Sequence, residues 1–235
     1  MSRAQPALSI IVFAYNEAEN IAPVLGELHQ WLCMHEPDAE LVIVDDGSRD
    51  DTLQHARQAL VSARAKFLRH EQNRGIGAAL KTGVRACEAP WVTFLPADGQ
   101  IEPDAIATLR AAASGDDVDV VFSTYVARED GAHRKLLSFG VRALIWCVHG
   151  VRMRSDGPYL FRRELFIPEQ LKPDTFFLNF EFPIRVLSAG RRARNVEIAC
   201  RPRRAGSSKS TGWKRIAGVG RDLIDRRLRR LREGW

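Results

Sequence analysis

Short apolar runs alternate with amphipathic segments along the first 125 residues. LSIIVF (8–13) is a β-branched run of strand length, and NEAENIAPVLGELHQWL (16–32) sets apolar residues near helical spacing, with Asn16 in position to cap it. LVIVDD (41–46) reads as a second strand ending in carboxylates, followed by the turn GSRD and a helix over about 52–61. AKFLRH (65–70), WVTFLPA (91–97) and VDVVFSTYV (118–126) continue the strands; GIGAALKTGVRAC (75–87) and PDAIATLRAAAS (103–114) are the helices between them. Strands that are apolar throughout, alternating with helices, predict an α/β fold: a Rossmann-like, mostly parallel sheet covered by helices on both faces.

From Ala127 the alternation breaks down. LLSFGVRALIWCVHGVRM (136–153) is apolar almost all round, interrupted by Arg142 and His149, and fits either a buried helix or an interfacial one. The end, WKRIAGVGRDLIDRRLRRLREGW, sets Ile216, Leu223, Ile224, Leu228 and Leu231 on one side and arginines elsewhere, a basic amphipathic helix. The expected division is a main domain over 1–210 and this helix over 211–235.

Composition changes the picture in one respect. The formal net charge is +6, yet residues 191–235 hold 15 of the 35 Lys+Arg and only 4 of the 29 Asp+Glu. The basic character is therefore a property of the C-terminal segment, suited to phosphates, an anionic bilayer surface or solvent. No nucleic-acid partner is expected, because nothing pairs the basic block with base-stacking aromatics or a reading helix. Cys33, Cys87, Cys147 and Cys200 are scattered without metal-ligand spacing, as reduced thiols of a cytoplasmic protein would be. Neither a signal-peptide core nor an apolar run of the roughly 20 residues needed for a membrane span is present.

In open parallel sheets ligands bind at the carboxyl ends of the strands. Three polar clusters fall there: AYNEAEN after the first strand, DDGSRD after the second and PADGQ after the fourth. Each alone could be a turn or helix cap; three on one rim point to a site. NRGIGAALKTG is neither a Walker loop nor a Rossmann fingerprint, since Leu80 stands where each requires glycine. Its glycines can still bring backbone amides and a helix start toward an anion.

The ordered set AYNEAENI, VIVDDGSRDDT, NRGIGAALKTGV, LPADGQIEPD, LFRRELF, NFEFPIRVLSAG and RPRRAGSSK resembles the family 2 glycosyltransferases of the GT-A fold, specifically the dolichyl- or polyprenyl-phosphate branch. The resemblance covers nearly the whole chain. It implies a GT-A sheet with acceptor-side helices at the C-terminal end, a nucleotide-diphosphate sugar donor, and Mg²⁺ or Mn²⁺ bridging the diphosphate. Tyr15 and Glu17 match positions that approach the nucleotide, and Val44 with Asp46 match those holding base and ribose. Ala97, Asp98 and Gln100 match the metal motif, with Asp98 and Gln100 as ligands and Pro96 where the motif has its first aspartate. A site with one carboxylate would be completed by the donor's own phosphates.

Arg203, Gly206, Ser208 and Lys209 match the element that faces the donor diphosphate and the acceptor phosphate, where Arg and Lys neutralise the leaving group. Arg128 and Arg134 in REDGAHRKLLS fall where the family's acceptor loop also carries basic residues. Tyr125 stands where many relatives have arginine, and Phe13 where they have proline. Glu181 in NFEFP is placed either to organise arginines or, for a hydroxyl acceptor, to act as general base, with Asp156 as the other candidate.

The resemblance thus implies an inverting transferase acting on a polyprenyl phosphate at the cytoplasmic membrane face, as a peripheral protein. Transfer to a saccharide hydroxyl, or non-catalytic nucleotide-sugar binding, remains open at this stage.

Overall fold

The computed structural model describes residues 5–61, 64–115, 117–126, 132–172, 174–175, 177–204 and 227; for residues 132–139 and 141 it describes the backbone alone. The strands are β1 (Leu8–Ala14), β2 (Glu40–Asp45), β3 (Ala65–Arg69), β4 (Trp91–Pro96), β5 (Val120–Tyr125), β6 (Leu160–Arg162) and β7 (Ala193–Ile198). The helices are α1 (Ala18–His35), α2 (Thr52–Ala59), α3 (Ile76–Ala86), α4 (Asp104–Ala112), α5 (Ala132–His149) and α6 (Leu178–Ser188).

The sheet runs β3-β2-β1-β4-β6-β5-β7, parallel except for β6, which lies antiparallel between β4 and β5. The alternating pattern predicts β1 to β5 and their parallel sense. It does not reveal β6, only three residues long, or β7, an edge strand whose ARNVEI carries three polar side chains. Both lie after Ala127.

Each face of the sheet has its own core. Leu8, Ile10 and Val12 of β1 point to the side packed by Ile21, Leu25 and Leu28 of α1 and Ile106 and Leu109 of α4. Ile11, Val42 and Val44 point to the other, with Leu80 and Val84 of α3 and Phe182 and Val186 of α6. The strict alternation along β1 follows from the two-residue period of a strand. Strands apolar on both faces are those a doubly covered parallel sheet requires.

On α5 the apolar segment carries both buried and exposed side chains. Ile145 and His149, one turn apart, are buried, and Ile145 packs with Met153, Phe177 and Ile184. Leu144 and Trp146 are exposed, at 37% and 54%. Lys209, Gly206, Ser208, Arg128 and the C-terminal helix apart from Arg227 lie outside the described residues, as does the side chain of Arg134.

Candidate active site at the carboxyl rim

Strand order reverses direction at β1, with β2 and β3 on one side and β4 on the other, so the crevice of this sheet lies at the carboxyl ends of β1 and β4. The ladder continues past the strand ends there: the Ala97 N–H donates to the Phe13 carbonyl at 3.2 Å and the Asp46 N–H to that of Ala14 at 2.8 Å. The loops after β1, β2 and β4 are thereby tied to one another.

The loop after β2 builds the loop after β1. The Asn16 N–H donates to Ser48 Oγ (2.9 Å), the Glu17 N–H to Thr52 Oγ1 (2.8 Å) and the Ala18 N–H to Asp50 Oδ2 (3.2 Å). The start of α1 is therefore satisfied by DGSRDDT rather than by Asn16. Asn16 instead takes a positive φ of 53° and accepts the Arg49 N–H at 2.8 Å. Asparagine is among the few non-glycine residues that adopt this backbone readily. Tyr15 and Glu17 are left half-buried on the rim.

Asp46 is 4% exposed and heavily used within the protein. It accepts the N–H groups of Arg74 (2.9 Å) and Gly75 (2.8 Å) and pairs with His70 Nδ1 (2.7 Å), whose Nε2 meets Thr82 Oγ1 (2.9 Å). It thus fixes the NRG turn against the strand ends. Val44 is fully buried in the core beneath and presents no surface to a base.

The glycines of NRGIG serve chain packing. A Cβ on Gly77 would lie 2.6 Å from the Asp174 carbonyl carbon and from the Thr175 carbonyl oxygen, and the Ala78 N–H donates to the Asp174 carbonyl at 3.1 Å. Lys81, 7% exposed, pairs with the Asp174 carboxylate at 2.9 Å. At the start of α3, the N–H groups of Gly75 and Ala78 are accounted for within the chain.

After β4, Asp98 stands on the rim with its side chain 17% exposed. Its Oδ1 accepts the Gln100 N–H at 3.1 Å, and the Gly99 between them takes a positive φ of 72°. Burial pushes the Asp98 carboxyl above the usual carboxylate range; the Gln100 N–H and the Arg203 guanidinium offset this in part, and the charge of Glu17 adds to it.

The segment after β7 returns across this turn. Arg203 Nη2 donates to Glu17 Oε1, and Nη1 stands 3.9 Å from Asp98 Oδ2. Glu17, Asp98 and Arg203 are therefore one cluster drawn from three loops. Ala97 is buried next to it, and Gln100 is half-buried.

Glu181 lies apart, 1% exposed on α6, where its charge opposes the lowering that burial imposes on the Arg185 guanidinium. Asp156 pairs with Arg142 of α5 at 2.5 Å.

Residues 9–193 match the family described as Glycosyl transferase family 2. The chain belongs to that family.

Among its relatives, the undecaprenyl-phosphate 4-deoxy-4-formamido-L-arabinose transferase of Pseudomonas fluorescens is 31% identical over 224 residues, 92% of this chain and 64% of that one. The dolichol-phosphate mannosyltransferase of Pyrococcus furiosus is 25% identical over 200 residues, 81% of this chain and 55% of that one. The chain thus spans less than two thirds of the length of these curated relatives. The crystal structure of glucosyl-3-phosphoglycerate synthase from Mycobacterium tuberculosis, in complex with Mg²⁺ and UDP, superimposes with a TM-score of 0.70 at 21% identity, covering 93% of this chain and 77% of that one. That likeness shows the GT-A-like fold.

The rim loops are held in part by residues that no sequence pattern singles out. Arg201 bonds to Glu27, 174 residues away. No local spacing signals such a pair. The run RPRR marks a basic segment, and only the fold shows that its arginines face four acids: Glu17, Glu27, Asp98 and Glu102.

Among the described residues no group of three or more His, Cys, Asp or Glu is arranged to hold a metal ion. The donor set at the rim is one partly exposed carboxylate beside Gln100. That set fits a hard divalent cation whose shell is completed by substrate phosphates and water, because Mg²⁺ commonly takes only one or two carboxylates from protein.

Proposed function

We propose that this family 2 chain transfers a sugar from a nucleotide-diphosphate sugar to a polyprenyl phosphate, with inversion at the anomeric carbon. The observation that carries the reading is the meeting of Glu17, Asp98 and Arg203 at the β1/β4 crevice, from segments far apart in sequence. The names of the relatives from Pseudomonas and Pyrococcus support the lipid-phosphate acceptor, and UDP in the mycobacterial synthase supports a nucleotide donor.

In this reading Tyr15 and Glu17 flank the nucleotide, and Asp46 holds the adjoining turn through which base and ribose are met. Val44 supports that turn from the core. Ala97, Asp98 and Gln100 receive the donor diphosphate, with Asp98 and Gln100 the ligands of Mg²⁺ or Mn²⁺. The bound cation would neutralise diphosphate charge. Arg203 and Lys209 add positive charge where the leaving nucleoside diphosphate takes up the bonding electron pair. An acceptor phosphate oxygen forms the new bond to the anomeric carbon from the opposite side.

A lipid phosphate has a second pKa of about 6 and reaches the site largely ionised at neutral pH. It needs no strong general base. Glu181, buried beside Arg185, then serves to organise that arginine rather than to take a proton.

The acceptor is met at the membrane surface. Among the described residues no helix is long and apolar enough to cross a membrane. Trp146 and Leu144 are exposed on α5, and Arg152 and Arg154 are exposed just beyond it. Aromatic and basic side chains together suit the headgroup level of an anionic cytoplasmic leaflet. Residues 1–210 would form the transferase domain, and the basic helix over 211–235 a second surface contact.

The test is incubation with radiolabelled UDP- and GDP-sugars, Mn²⁺ or Mg²⁺, and a short polyprenyl phosphate. Label passing into the organic phase supports the proposal. Transfer only to water or to a saccharide overturns the lipid acceptor, and no turnover with any donor leaves a binding protein.

A further inference from the structure

The turn bearing Asp98 is held by the segment after β7, one carbonyl at a time. The Asp98 carbonyl accepts the Arg204 N–H at 3.5 Å, the Gln100 carbonyl accepts the Arg201 N–H at 2.9 Å, and the Gly99 carbonyl between them accepts Arg201 Nε. Three successive carbonyls of one tight turn thus find their donors in residues 201–204.

Arg201 is itself anchored. Its Nη1 and Nη2 bond Glu27 Oε1 and Oε2 of α1 at 2.9 and 2.7 Å, a fork-to-fork pair, and Nη1 reaches Glu102 Oε1 at 3.4 Å. Arg204 Nη2 also pairs with Glu27. The Arg201 side chain is 24% exposed and that of Glu27 31%, so the pair is partly shielded from solvent. Nε and both Nη groups of the guanidinium are in use, in the planar geometry that only arginine offers.

The same segment sets Arg203. With Arg201 on one side fastened to the turn and to α1, and Arg204 on the other fastened to Asp98 and Glu27, the intervening Arg203 is aimed at Glu17 and Asp98. Gly99 belongs to the same fit: besides its positive φ, a Cβ there would lie 3.1 Å from the Arg204 side chain and from Val24 of α1.

We infer that Arg201 and Glu27 are positioning residues for the donor site: their bidentate pair locks the 98–100 turn and the 201–204 segment together. It thereby fixes the separation of Asp98 from Arg203. This rests on the proposed function for its consequence in catalysis, and on geometry alone for the lock itself. Groups that orient metal and phosphate ligands from behind typically change affinity or activity by about ten- to a hundredfold when lost.

The test uses Arg201→Lys, which keeps the charge and loses the fork, and Glu27→Gln, with Glu102→Gln as a control at the long 3.4 Å contact. Hydrogen–deuterium exchange across residues 97–102 and 199–204 reads the lock without any ligand. Faster exchange confined to these two segments in Arg201→Lys and Glu27→Gln, and wild-type exchange in Glu102→Gln, is the expected result. Unchanged exchange in the folded variants overturns the lock.

Calorimetry with UDP and with GDP, each with Mn²⁺, reads the consequence. Weakening of about tenfold or more, and a matching rise in the Mn²⁺ concentration for half-maximal binding, is expected in both variants. Wild-type affinity in variants whose exchange has accelerated overturns the positioning role. A wild-type protein that binds neither nucleotide sinks the transferase reading and with it the positioning of a donor site, while the exchange result still decides the lock.

Discussion

Arg203 places one guanidinium between two carboxylates, donating to Glu17 and standing 3.9 Å from Asp98. The side chains are 16%, 11% and 17% exposed respectively, so the charges face one another with limited help from water. Without the arginine, two partly buried carboxylates would repel. In the proposed reaction the same guanidinium meets the departing diphosphate. Arg203→Ala is expected to lower kcat/KM by about two to three orders of magnitude, the scale of losing one electrostatic stabiliser. Arg203→Lys should recover only part of this, because an ammonium cannot serve both acids as a fork. Steady-state kinetics of the three proteins checks it; equal activity of wild type and Arg203→Ala would remove Arg203 from the mechanism.

Asp98 combines a functional demand with a structural cost. Burial holds its carboxyl above the usual range even with the Gln100 N–H and Arg203 as counterweights. An acid whose folded pKa is raised destabilises the fold as pH climbs from its unfolded value to its folded one, because ionisation is harder in the folded state. Asp98→Asn is therefore expected to unfold at the same or a higher temperature than wild type at pH 7, while losing metal-dependent nucleotide binding and about two orders of magnitude or more in transfer rate. Calorimetric unfolding paired with Mn²⁺-dependent UDP or GDP binding reads both. A clear fall in Tm would show that the carboxylate supports the fold instead.

The parallel sheet and the rim loops were legible because they depend on short-range pattern: apolar runs for buried strands, and Asp, Gly, Ser and Asn clusters where chains leave them. Asn16 shows the limit of that pattern. It stands where a helix cap would, but Asp50 and Thr52 do the capping from across the rim. Gly77 shows another limit, since a phosphate and the Asp174 backbone both favour a missing Cβ, and only the fold distinguishes them. Strand β7 was hidden because an edge strand can carry Arg194, Asn195 and Glu197 without a buried face to contradict them. The Arg201–Glu27 pair was illegible for a different reason: long-range ion pairs leave no periodicity.

At the opposite end of β2, Glu40 is 1% exposed and sets an acid limit on the fold. Burial alone would raise its pKa, but the Glu88 N–H, the Ser9 hydroxyl and the Lys66 ammonium at 3.1 Å outweigh it and hold the carboxyl below the ordinary 4.5. A depressed folded pKa means stability present above the unfolded value and lost as pH falls through the folded one. Glu40→Gln should cost about 2 kcal/mol at pH 7, as a charged hydrogen-bond acceptor is replaced by an amide beside Lys66. Urea unfolding of both proteins at pH 7 and again below pH 4 tests the sign: the gap should narrow in acid. A gap that is constant or widens would mean that Glu40 acts through packing alone.

Tyr159 lies in an aromatic cluster between the sheet and α6, stacked on Phe182 at 5.4 Å and meeting Phe94 edge-on at 4.7 Å. It is 1% exposed, and its hydroxyl has no hydrogen-bond partner among the described residues. Burial pushes the phenol well above its usual pKa, so it stays neutral throughout the working range. An unpaired buried hydroxyl carries a desolvation cost of about 1–3 kcal/mol that the native contacts do not return. Tyr159→Phe keeps the ring, its stacking and nearly all its volume while removing that cost. The variant is expected to be as stable as wild type or more so, by up to about 1 kcal/mol, with transfer activity unchanged because the ring lies within the core. Urea unfolding at pH 7 checks it. A loss of more than about 1 kcal/mol, the net worth of an ordinary hydrogen bond, would show that the hydroxyl is hydrogen-bonded in the folded protein.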